Sequence, residues 1–131
     1  MENHSISNSM MGLVLIGIGA IHCSRGEYEL ATARFIAAHQ LGHRRGADEA
    51  MAIASSNLAL CYARLGRHMD QVLWAKKGLA VTSSRFSTSY TLQLNLLLAH
   101  GLAMLAKSDQ SVDALSHIAS LIPSTMPDWG R

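Results

Sequence analysis

The stretch SRGEYELATARFIAA, residues 24–38, decides how the rest of the chain is read. An apolar helical run from Met10 to Ile21 reaches Ser24, Arg25-Gly26-Glu27 interrupts it, and a second helical run begins at once. Glycine supplies the backbone freedom a tight reversal needs. In the second run Tyr28, Ala31, Phe35 and Ala38 recur three and four residues apart, which sets them on one helix face. Gly19 in the first run is the small residue that would let two backbones approach, with a large ring filling the space beside it.

The same grammar extends outward from this turn. Ala, Leu and Met abound at helical spacings and alternating strand patterns are rare, so the fold class is all-α. Breaks at Ser24-Arg25-Gly26, Gly42-His43-Arg44-Arg45-Gly46, Leu65-Gly66-Arg67, Thr82-Ser83-Ser84 and Lys107-Ser108-Asp109 divide the chain, and Pro123 and Pro127 mark its end. Helices are predicted near 9–24, 27–41, 47–65, 68–81, 86–106 and 109–121. Residues 1–9 read as a flexible N-terminal segment, 10–121 as one helical repeat domain and 122–131 as a tail. Met51, Ala54, Leu58, Cys61, Tyr62 and Leu65 form one apolar stripe, and Tyr90, Leu94, Leu97, Gly101 and Met104 another. Gly26 recurs as Gly66, 40 residues later, and Ser108-Asp109 follows a little over 40 after that, which indicates a stacked repeat.

Gly19, Gly26, Tyr28, Ala31, Phe35 and Ala38, then Leu58, Ala59, Tyr62, Gly66, Ala75 and Leu79, resemble the spacing of the tetratricopeptide repeat. That resemblance covers about residues 10–121 and implies a right-handed superhelical stack of about three helix-turn-helix hairpins. The chain departs from the family at Gln71, which stands where Ala is usual, and in its third hairpin, where Gly101 and Ala114 need an extra residue between them. The period of 40 also exceeds the family's usual 34 or so and enters the range of HEAT and armadillo repeats. Long-period repeats of this sort are similar to those of bacterial signalling and transcription regulators.

Composition narrows the function. Hydrophobic residues make up 49% of the chain and charged residues 15%, which excludes a disordered polymer. A formal charge of +2 is too weak for a phosphate-backbone binder, and Arg34, Arg44, Arg45, Arg64 and Arg67 are interspersed with Glu27, Glu29, Asp48 and Glu49, as on a solvated surface. Cys23 and Cys61 form neither a CxxC nor part of a Cys/His cluster and read as free thiols in a reducing, cytoplasmic setting. The apolar run at 10–21 is shorter than a membrane span and reads as a buried helix.

Catalytic motifs are wanting. His39 and His43 have the spacing of two metal ligands on a helix, but no third ligand is near and Gly42 is expected to end the helix between them. His22 and His100 lack a neighbouring nucleophile and read as core or groove-edge residues. Gly12, Gly17 and Gly19 lack the Lys-Ser/Thr of a phosphate loop and fit helix crossings better. Thr82 to Ser89 supplies hydroxyls suited to phosphorylation or, more simply, to helix capping. No enzyme, metal or cofactor is expected.

In the resembled family the first helix of each hairpin lines a concave groove that receives a peptide. Transferred by position, that groove comprises Leu13, Ile16, Ala20, Ile53, Asn57, Leu60, Arg64, Leu98, Leu102 and Leu105. Being mostly apolar, it suits an amphipathic helix, with Asn57 bonding the ligand backbone and Arg64 an acidic side chain. Only those two residues could bind a C-terminal carboxylate, so an acidic-tail clamp is not expected. The expected partner is a protein or peptide, with self-association also open, and neither nucleic acid nor a membrane is expected. The rival reading is a sensor or oligomerisation domain of a bacterial transcription or signalling regulator.

Overall fold

The computed structural model describes residues 4–82, 88–107 and 119–122. Five helices follow in order: α1 (His4–Ser24), α2 (Tyr28–Arg45), α3 (Asp48–Arg64), α4 (His68–Val81) and α5 (Thr88–Lys107). Each packs on the next, and α5 also packs on α3, so the fold is an all-α stack of helical hairpins. Most of the expected sixth helix, and residues 83–87 of the Ser-rich stretch, lie outside the described residues. Helix α1 begins at His4, within the segment expected to be flexible.

One turn is used three times. Gly26, Gly46 and Gly66 have φ of 77°, 64° and 74°, where an L side chain would be strained. After each, an amide reaches back five residues: Glu27 to His22, Ala47 to Gly42 and Arg67 to Tyr62, each at 2.9 Å. These bonds close the preceding helix and start the next with no intervening loop. Gly46 is the turn between hairpins, and its likeness to the turns within them makes the stack regular at 20-residue steps.

Helix α2 therefore does not stop at Gly42. It continues to Arg45, and Gly42 is buried inside it, where an added Cβ would lie 3.2 Å from Met51 Cγ and 3.4 Å from Ala50 Cβ. The glycine serves the α2–α3 crossing rather than termination.

The core has two adjoining clusters. Ala31, Phe35, Leu58, Cys61 and Tyr62 form the first, with Ile16, Cys23 and Tyr28 against it. Ala59, Val72, Ala75, Leu98 and Leu105 form the second, reached also by Leu121. Trp74 touches both and joins them into one continuous interior. No described helix is long and apolar enough to cross a membrane.

Candidate functional site

The structure divides the ten expected groove residues into three groups. Leu60 and Arg64, one turn apart near the end of α3, border an opening of about 340 Å³ whose other walls are Ala63, Leu97 and His100. Half-buried Ile53 and Asn57 lie earlier on α3, and Asn57 Nδ2 donates to the Ile53 carbonyl at 3.1 Å. That bond uses one amide hydrogen and leaves the other, with Oδ1, to offer a ligand. Arg64 is exposed and pairs with no carboxylate among the described residues.

On α1, Leu13 and Ile16 border a separate cavity of about 250 Å³ with Gly12, Ala38, Leu41, Gly42, Arg45, Ala47 and Ala50. Leu13 and Ala20 are exposed, and α1 meets α3 much less closely than α5 does. The α1 residues thus do not continue the wall formed by α3.

On α5, Leu98 and Leu105 are not groove residues. They are 0% and 4% exposed and belong to the second core cluster, against which half-buried Leu102 also packs. Leu94, Leu98, Gly101 and Leu105 are the buried stripe, and Leu97, one residue out of phase, faces the opening. Helix α5 has leucines on every side, so sequence periodicity does not fix its rotation.

Beside the opening is a polar network that the sequence marks only by the unusual Gln71. Gln71 is fully buried. Its Nε2 donates to the Leu97 carbonyl at 2.7 Å and approaches His100 Nδ1 at 3.0 Å, while Oε1 lies 2.8 Å from His68 Nδ1. The carbonyl requires a donor, which fixes the amide's orientation; His68 Nδ1–H therefore donates to Oε1, and His100 Nδ1 accepts from Nε2. The network ties α4 to α5 and holds the imidazole of His100 at the rim.

The other expected polar residues have local roles. His22 Nδ1 pairs with Glu27 Oε1 at 3.0 Å across the first turn. His39 packs edge-on against Trp74 with ring centroids 5.0 Å apart, and burial, reinforced by Lys77 and His43, lowers its pKa below the usual histidine value. His39, His43, Gln40, Arg44 and Lys77 line a shallow basic depression between α2 and α4. Among the described residues no three His, Cys, Asp or Glu side chains are grouped so as to hold a metal. Cys61 is buried, and Cys23 on α1 packs against the cluster that holds it, so residues 38 apart in sequence meet across two helices.

No protein-family model, curated protein or solved structure matches the chain.

Proposed function

We propose that this chain is a protein-interaction module, built on tetratricopeptide-like hairpins, that receives an amphipathic helix of a partner polypeptide at the opening between α3 and α5. The observation that carries this reading is the composition of that opening: apolar Leu60, Ala63 and Leu97 form its floor, with Arg64 and His100 at the edge. Such a surface accepts side chains spaced three, four and seven apart and orients them through one acidic group opposite Arg64. No reaction is assigned to it. We assign the protein to the cytoplasm, where its free thiols stay reduced.

A panel of helical peptides, each with an apolar stripe and one flanking acidic residue, tests this. Binding should shift the methyl NMR signals of Leu60 and Leu97. Leu60→Asp should abolish it, and Arg64→Glu should weaken it by about 1 kcal/mol or less, as for an exposed ion pair. If no peptide moves those methyls, or if Leu60→Asp binds as well as the wild type, the reading fails.

A further inference from the structure

We propose that the basic depression between α2 and α4 is a binding site for a small phosphate monoester, whose dianionic head sits between Arg44 and Lys77.

Helices α2 and α4 both pack on α3 and leave between them a space of about 480 Å³. Small-molecule sites run to about 300–1,000 Å³, so the space is of that size. Its walls are His39, Gln40, His43 and Arg44 of α2 and Lys77 of α4. Each of these side chains can donate a hydrogen bond, and none is a carboxylate. Asp48 and Glu49, close to Arg44 in sequence, do not line it. Among the described residues neither Arg44 nor Lys77 pairs with an acidic side chain.

The position of Lys77 is the independent observation. Cations near a helix C-terminus answer the negative end of the helix, which accounts for His43 and Arg44 in the last turn of α2. It does not account for Lys77, because α4 runs on to Val81 and its last turn has no basic residue. Lys77 Nζ instead lies 4.6 Å from the centre of the Trp74 ring, and the same ring braces His39 edge-on with centroids 5.0 Å apart. The indole holds an ammonium and an imidazole in place while leaving the ammonium its full charge. Positive charge therefore accumulates here: after burial, Lys77 and His43 are what disfavour a proton on His39. An anion placed among these groups relieves that repulsion.

Charge matching selects the class of anion. Arg44 and Lys77 are both permanently positive at neutral pH. A phosphate monoester carries about −1.5 to −2 at pH 7, whereas a carboxylate or a phosphodiester carries a single charge and leaves one cation unmatched. The guanidinium fork of Arg44 suits two phosphate oxygens, and the Lys77 ammonium is a point charge for a third. Neutral His39 has a ring N–H to add. The aliphatic stems of Arg44 and Lys77 offer an apolar wall to the organic part of the ester. This site does not depend on the opening between α3 and α5.

NMR titration of the full chain, following the ring signals of His39 and His43, tests the site with phenyl phosphate, dimethyl phosphate and inorganic phosphate. Phenyl phosphate should shift both rings and saturate, and dimethyl phosphate, a monoanion, should bind about tenfold more weakly or worse. Inorganic phosphate should shift the same signals but bind less tightly than the ester. Bound phenyl phosphate should also raise the pH at which His39 takes up its proton, since a neighbouring anion favours the imidazolium. Arg44→Gln and Lys77→Gln should each weaken binding about tenfold or more. Both side chains are exposed, so far-UV circular dichroism should not change. Arg25→Gln, which removes the same charge at the first turn, should bind as the wild type does. Leu60→Asp should leave this site intact, which separates the test from that of helix binding. The proposal is overturned if no saturable shift occurs, if the phenyl and dimethyl esters bind alike, or if the double variant Arg44→Gln, Lys77→Gln binds phenyl phosphate unchanged. Inorganic phosphate binding as tightly as phenyl phosphate would mark an adventitious ion only and would overturn it too.

Discussion

Gly19 of α1 lies directly against the ring of Phe35 on α2: a Cβ at Gly19 would be 2.6 Å from Cε1, 2.8 Å from Cζ and 2.9 Å from Cδ1. The ring is 1% exposed and is held by neighbours on two other helices, so it has nowhere to retreat.

This pair gives opposite expectations for two glycines in the same helix. Gly19→Ala gains roughly 1 kcal/mol of helix propensity but forces the ring to move, at an overpacking cost of about 1–3 kcal/mol, so it should destabilise the fold. Gly17→Ala meets no atom of the described residues and should stabilise the fold by up to about 1 kcal/mol. Urea unfolding followed by circular dichroism compares the two. Phe35→Leu should be less harmful when combined with Gly19→Ala than in the wild-type chain, because it removes the atoms in conflict.

The network around Gln71 gives a tautomer prediction. His68 should carry its neutral-form proton on Nδ1 and His100 on Nε2, distinguishable by long-range proton–nitrogen correlation NMR. A proton on Nδ1 of neutral His100 would contradict the donor assignment made from the Leu97 carbonyl. Gln71→Met, which preserves shape, should cost about 1–2 kcal/mol, and Gln71→Ala more, because it adds a cavity beneath Gly101 and Val72.

His39 makes stability depend on pH. Its folded pKa is depressed, chiefly by burial and then by Lys77 and His43, so below the ordinary value of 6.5 the unfolded chain binds a proton that the folded chain resists. Its favourable contribution is therefore complete above that pH and is lost as pH falls from there through the lower folded value. In His39→Gln the slope of unfolding free energy against pH over this window should decrease. A slope identical to the wild type's would mean that the titration arises elsewhere.

Cys61 behaves in the opposite sense. Burial, with Cys23 beside it, pushes its pKa from 9.0 up to about 12, so the folded chain keeps a proton that the unfolded chain loses. Stability should fall as pH rises above 9, and at pH 8 Cys61 should resist thiol reagents until the protein is unfolded. Rapid modification of Cys61 in native buffer, followed by mass spectrometry, would contradict its placement between α1 and α3.

Most of the fold was legible because its signals are local. Gly26 and Gly66 mark turns, the stripe from Met51 to Tyr62 is buried as its period implies, and the pairing of Gly19 with Phe35 follows from small opposite large. Gly42 misled because a glycine before basic residues looks like a stop, and only the neighbouring helix shows why it is needed within α2. The candidate site was harder to locate. Leucines surround α5, so Leu97 and Leu98 exchange roles with a rotation of one residue, and only packing against Val72 and Ala75 decides between them. The meetings of Cys23 with Cys61 and of Gln71 with His100 join residues far apart in the chain, which no local pattern encodes.

Ser55 and Ser56 provide the last prediction. Both are buried in α3, at 0% and 2% exposure, and neither hydroxyl has a hydrogen-bond partner among the described residues. An unsatisfied buried hydroxyl costs about 1–3 kcal/mol of desolvation, and its removal leaves a gap no larger than one oxygen atom. Ser55 supports close packing through its Cβ, which would lie 3.0 Å from a Cβ at Gly78 on α4, so shape rather than polarity is what the crossing uses. Ser55→Ala should therefore be neutral or stabilising by up to about 1 kcal/mol. Ser55→Val, which adds bulk toward Gly78, should destabilise by about 1–3 kcal/mol. If thermal unfolding shows Ser55→Ala to be strongly destabilising, the hydroxyl has a partner in solution and the α3–α4 crossing is not held by shape alone.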